Sequence, residues 1–168
     1  MQNEAYSMWN EGFARAFLRD SNRIEGIAAP PTKPQIMAFM RFTHLDVLHV
    51  DTIEAYTKTV QPNAKLRIAP GCNVTVGKHV PPAGGQAVLY SLQNLLETLN
   101  ENKERLCPWV WHGWYESLHP FTDGNGRSGR AIYAWHCLQS NKHRFMELGF
   151  LHDAYYRALD ATRMFGES

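Results

Sequence analysis

The sequence predicts an all-α domain carrying one short β-hairpin between its helices. Three observations support this. Apolar residues recur at helical i, i+3, i+4 spacing through most of the chain. Only the stretch from about 65 to 82 breaks that period, with short β-branched runs around a Gly-Lys pair. The chain has 168 residues, 44% hydrophobic and 20% charged, which suits one domain over 1–168 with a workable core.

The elements follow in order. Met8, Trp9, Phe13, Ala16 and Phe17 give an opening amphipathic helix, at about 5–26, that leads to Ser21 and Glu25. Ala28-Ala29-Pro30-Pro31 breaks it. Ile36, Met37, Phe39, Met40 and Phe42 mark a second helix, and Asp51 with Glu54 reads as the capping pair of a third through Tyr56. The hairpin is expected from Leu66-Arg67-Ile68 and Val74-Thr75-Val76, with a Gly77-Lys78 turn, His79-Val80, and Pro81-Pro82 ending it. Val88, Leu92, Leu95, Leu96 and Leu99 define the next helix. Pro108 then opens a Trp-rich one through Tyr115. Its Trp109, Trp111 and Trp114 read as core aromatics, not as stacking platforms for bases. Ala131, Ile132, Ala134, Trp135 and Leu138 continue a further helix, and a last one is expected from about 151 to 164. No internal repeat or linker stands out.

Composition narrows the function classes. A formal charge of +1 gives no reason to expect nucleic acid or an anionic membrane as partner. Cys72, Cys107 and Cys137 form no metal-ligand spacing and are odd in number, so reduced cytoplasm is the expected compartment. Met1-Gln2-Asn3-Glu4 lacks a basic n-region and apolar run, and no stretch is long enough to span a bilayer. His44, His49, His112, His136, His143 and His152 lack the i, i+4 pairing of a helical zinc site and read as ordinary core or surface histidines.

The densest chemistry lies in His119-Pro120-Phe121-Thr122-Asp123-Gly124-Asn125-Gly126-Arg127-Ser128-Gly129-Arg130. Gly124, Asn125 and Gly126 have the composition of a turn whose N–H groups face an anion at a helix start, Gly and Asn tolerating positive φ. His119 carries the only side chain of the stretch whose unperturbed pKa lies near neutrality, a residue type that can take a proton from an attacking hydroxyl. Asp123 offers hard oxygens suited to Mg²⁺ on a phosphate-bearing substrate. Arg127 and Arg130, three apart on a helix, project to one side as phosphate-matching forks. Phe121 reads as an anchor in the core and Pro120 as a stiffener of the backbone after His119.

This stretch resembles the signature of the Fic family, His-Pro-Phe-x-Asp/Glu-Gly-Asn-Gly-Arg-x-x-Arg, at every fixed position. The resemblance implies a Fic-type helical bundle with a β-hairpin flap over the active site. It also implies transfer of AMP from ATP, with Mg²⁺, to a Ser, Thr or Tyr hydroxyl of a protein target. Arg127 would then meet the β-phosphate region and Arg130 the γ-phosphate. Ser21-Asn22-Arg23-Ile24-Glu25-Gly26 is similar to the family's inhibitory motif, in which the glutamate pairs with the second arginine, here Arg130, and obstructs the γ-phosphate position. A plain helix end with Gly26 as cap fits the same residues. The flap, with Val76, Gly77, Lys78, His79 and Val80, would align the target segment by edge pairing; a merely stabilising surface hairpin is the alternative. Transfer of another nucleotide or phosphate-containing group, removal of AMP, and a nucleotide-responsive binding module without turnover all stay open. So does assembly into a homo-oligomer.

Overall fold

The computed structural model describes residues 10–140, over which the chain forms six helices and no strand. These are α1 (Glu11–Ile24), α2 (Lys33–Thr43), α3 (Val50–Val60), α4 (Gln86–Asn102), α5 (Pro108–Leu118) and α6 (Asn125–Gln139). The expected start of the first helix before residue 10, the last helix at 151–164, His143 and His152 lie outside the described residues.

The bundle is organised around α6, which packs against α1, α2, α3 and α5. Ala131, Ile132, Tyr133, Ala134, Trp135 and Cys137 are all fully buried, as befits a helix covered on every side. Trp111 of α5 is equally buried. The indoles satisfy their one donor locally: Trp111 Nε1 donates to the Leu95 carbonyl at 3.1 Å and Trp135 Nε1 to that of Leu45 at 2.6 Å. Phe17, Phe39, Phe42 and Tyr56 join α1, α2 and α3 through ring contacts centred 4.8–6.5 Å apart.

Local sequence explains most helix ends. Asn10 Oδ1 accepts from Phe13 N at 3.0 Å to start α1, and Thr32 with Gln35 forms a capping box on α2. The end of α1 is a Schellman turn: Gly26 has φ 72°, its N–H donates to the Arg23 carbonyl, and Ile27 N donates to that of Asn22 at 2.9 Å. The expected Asp51–Glu54 cap is replaced by another. His49 N donates to Thr52 Oγ1 at 3.1 Å, while Asp51 lies inside the first turn and Glu54 pairs with Lys58. A hydroxyl three residues on reaches the cap amide, so the carboxylates are left to the dipole and the i, i+4 pair.

The 65–82 segment departs furthest from expectation. Leu66 bridges to Phe121, and Arg67 N donates to the Pro120 carbonyl at 2.9 Å, so Leu66-Arg67-Ile68 lies against the loop after α5 instead of against Val74-Thr75-Val76. Of the hairpin only its tip is present. Val76 and His79 exchange two N–H···O bonds of 2.9 Å around Gly77, φ 58°, and Lys78. Pro70, Pro81 and Pro82 remove donors a longer ladder would need, and the buried Arg67 side chain draws the surrounding carbonyls to itself.

Candidate active site

The site is built where α5 turns into α6. His119 caps α5 in the left-handed conformation, φ 49° and ψ 62°, the one non-glycine with positive φ among the described residues. Its N–H still donates to the Tyr115 carbonyl at 2.9 Å, so the backbone turns sharply without losing a bond. That conformation costs an L-residue about 1–2 kcal/mol and needs support from its surroundings. Phe121, fully buried, anchors the loop as expected. The Asn125 side chain closes it, accepting from Phe121 N at 2.9 Å and donating to the Phe121 carbonyl at 2.8 Å.

This closure corrects the reading of Gly124-Asn125-Gly126. Only Gly124 uses positive φ, at 78°, while Asn125 and Gly126 already belong to the first turn of α6. Gly126 is small for a different reason. A Cβ there would lie 2.2 Å from Glu25 Oε1 and 3.0 Å from Arg130 Nη1. The Glu25 carboxylate therefore rests against the α6 N-terminus, where the amides of Asn125, Gly126 and Arg127 have no carbonyl in a preceding turn to bond. An anion already lies at the helix start.

Arg130 completes this arrangement from inside the bundle. Fully buried, it donates from Nε to Ser21 Oγ at 2.8 Å, and from Nη2 to the Ser21 carbonyl at 3.0 Å and Glu25 Oε1 at 2.5 Å. Ser21 and Glu25 are one helical turn apart, and the Schellman turn stops α1 directly after Glu25. The structure thus brings together Ser21, Glu25, Gly126 and Arg130. Tyr56 of α3 stands in the field of Arg130 and Arg127; burial pushes its hydroxyl's pKa well up, the two cations opposing this. That hydroxyl has no hydrogen-bond partner among the described residues.

Arg127 is placed on the other side. Its Nη1 donates to the Val60 carbonyl at 2.6 Å and its Nη2 to Gln61 Oε1 at 2.8 Å, so it caps the C-terminus of α3. Gln61 then reaches Asp123, donating from Nε2 to Oδ2 at 2.5 Å, while Asp123 Oδ1 accepts from Gly124 N at 2.6 Å. The exposed Asp123 carboxylate has the donor chemistry of a Mg²⁺ ligand. Among the described residues no group of three His, Cys, Asp or Glu could hold a metal unaided. A Mg²⁺ ion here would take its remaining ligands from substrate oxygens and water, the usual arrangement for that ion.

Beside His119, Glu116 is buried between two imidazoles. Its Oε2 is 4.0 Å from His119 Nδ1 and its Oε1 is 4.0 Å from His112 Nε2. Burial, with the charge of Arg130, lowers the His112 pKa to about 3, a backbone hydrogen bond at Gly129 opposing. Of the five flap positions, Val76 and Gly77 form the tip with the exposed Lys78, and Val80 is 71% exposed. His79 instead turns inward, buried, with Nε2 2.9 Å from the Ser117 carbonyl. Gln61, Arg67 and Glu116 were not anticipated. Each belongs to a common residue type outside any motif, and none carried a signal beyond a possible place on a helix end, strand or helix face.

A family model described as the Fic/DOC family matches residues 39–137, more than half of the chain. The matched span includes the whole His119–Arg130 stretch together with α3, Gln61 and Arg67, while Ser21 and Glu25 precede it. No helix of the described residues is long and apolar enough to cross a membrane.

Proposed function

The chain belongs to the Fic/DOC family, whose members commonly transfer AMP or other nucleotidyl groups to proteins, and on that premise we propose that it transfers AMP from Mg-ATP to a Ser, Thr or Tyr hydroxyl of a protein target, restrained by Glu25. The observation that carries this reading is the Glu25 carboxylate resting on Gly126 and Arg130. A carboxylate held there marks a place suited to a phosphate and at the same time occupies it.

His119 takes the proton as the target hydroxyl forms its bond to the α-phosphorus. The bond from that phosphorus to the oxygen bridging the β-phosphate breaks, and pyrophosphate leaves with the electron pair. The left-handed turn at His119 leaves its side chain 14% exposed with Nδ1 4.0 Å from Glu116 Oε2, and the amides at the start of α6 would hold phosphate oxygens as charge redistributes. When bound, Mg²⁺ supplies charge neutralisation for the leaving pyrophosphate, and Asp123 is the residue that would hold it. Arg127 would reach the phosphates by exchanging the Val60 and Gln61 oxygens for theirs, and Arg130 by exchanging Glu25. The tip at Val76–Val80 serves the target segment, with Val80 and Lys78 outward.

The test uses ATP labelled at the α-phosphate, Mg²⁺ and a cell lysate. Wild type should label protein weakly, Glu25→Ala strongly and Glu25→Ala/His119→Ala not at all. Absence of label in all three, with ATP binding established separately, refutes AMP transfer. A panel of other nucleotides and an AMP-modified protein then distinguish another transferred group from AMP removal.

A further inference from the structure

Arg67 is fully buried in the loop between α3 and α4, and its guanidinium makes four hydrogen bonds to backbone carbonyls. Nε donates to His119 O at 2.7 Å and Nη2 to Leu118 O at 2.9 Å. Nη1 donates to Cys72 O at 3.1 Å and to Pro82 O at 2.9 Å. Its own amide donates to Pro120 O at 2.9 Å, and its carbonyl accepts from Gly85 N at 2.8 Å. One residue therefore ties the turn that carries the base to both ends of the 72–82 loop.

Burying a guanidinium is costly, and a well-packed apolar side chain would stabilise a core at least as well. What an apolar side chain cannot do is hold four carbonyls from three separate places at once. Two of those carbonyls flank the His119 left-handed turn, whose backbone is disfavoured without outside support. The other two begin and end the segment that presents Val76–Val80. His79 adds a parallel tie from that segment to the Ser117 carbonyl of α5.

We infer that Arg67 is a positioning residue for the transfer reaction: by holding the Leu118 and His119 carbonyls it keeps the base in its left-handed turn, and through Cys72 and Pro82 it keeps the 76–80 tip in register with that base. The base and the surface that presents the target hydroxyl then move as one unit. This rests on the AMP-transfer reading. Lysine cannot substitute, because a single ammonium presents three donors from one point and cannot span the four carbonyls.

The first measurement is made on the wild-type chain. The Arg67 Nε–H, observed by ¹⁵N NMR, should exchange with water about a hundredfold more slowly than those of the exposed Arg41 and Arg105. The second compares Arg67→Lys with its parent in the Glu25→Ala background. Mg-ATP affinity should be unchanged, since Arg67 touches backbone carbonyls only. The His119 ring resonances should shift, and label transfer should fall about 10²-fold, as expected for a misplaced reacting group. Adding methylguanidinium to Arg67→Ala should restore part of the transfer. Arg67→Lys transferring label at the parental rate, or an Arg67 Nε–H exchanging as fast as an exposed one, overturns the inference. If the Glu25→Ala parent labels nothing, the AMP-transfer reading has failed. Nε–H protection and the His119 resonances then still decide whether Arg67 holds the turn.

Discussion

Removing the Glu25 carboxylate should lower stability and raise nucleotide affinity together. Glu25→Ala is the suitable change, since Glu25 has φ −84° and ψ 7° and alanine adopts this conformation without adding glycine's entropy. The lost contact joins Glu25 Oε1 to Arg130 Nη2 at 2.5 Å, with side-chain exposures of 31% and 0%. Water reaches the glutamate end, so the loss lies below that of breaking a fully buried pair and near that of a charged hydrogen bond, about 1.5–3 kcal/mol. Arg130 keeps its two bonds to Ser21, which prevents a larger loss. In a chain of this size that corresponds to roughly 3–10 °C in melting temperature. The Nη2 hydrogen that Glu25 occupied and the α6 amides then become available to a phosphate, while Nη2 keeps its bond to the Ser21 carbonyl. Saturating ligand adds stability, about 2.7 kcal/mol at one hundred times its Kd. Calorimetric melting with and without Mg-ATP reads both effects: a lower Tm than wild type without nucleotide and a larger rise on adding it. A variant that melts at the wild-type temperature, with the wild-type response to Mg-ATP, would refute the reasoning that Glu25 both stabilises the site and obstructs it.

Two further predictions follow from the interface between α5 and α6. A Cβ at Gly129 would sit 2.3 Å from Glu116 Oε1 and 3.0 Å from both His112 Cε1 and Tyr115 Cδ1, so Gly129→Ala should destabilise by about 1–3 kcal/mol, read from urea midpoints. The depressed His112 pKa fixes the sign of a pH effect. Between about 3 in the folded chain and 6.5 when unfolded, the unfolded state binds the additional proton, so this stabilisation is complete above pH 6.5 and is lost as pH falls towards 3. At pH 5 the loss is about 2 kcal/mol, checked by urea unfolding at pH 7 and 5 for wild type and His112→Gln, the variant losing that part of the slope.

How far the site could be read beforehand depended on distance along the chain. His119 to Arg130 are consecutive, so a turn entering a helix is enough to bring imidazole, carboxylate and amides together, and residue type alone marks them as candidates. Gly26 was legible as a helix stop because a Schellman turn is a local device. The Ser21–Glu25 contact with Arg130 spans more than one hundred residues and was reached only through resemblance to a known motif. Arg67 was absorbed into an expected strand, because alternation cannot distinguish a strand residue from an arginine drawn inward by unpaired carbonyls.

The sequence by itself determined the helical class, the stop of α1 at Gly26, the start of α5 at Pro108 and the chemical content of the loop before α6, since periodicity, local stop signals and a contiguous motif act over a few residues. Tertiary structure alone decided which carboxylate lies on Gly126, that Gln61 joins Arg127 to Asp123, and that Arg67 holds the turn at His119. Those contacts unite segments brought together by burial of α6, and burial depends on how whole helices pack, which local sequence pattern does not specify.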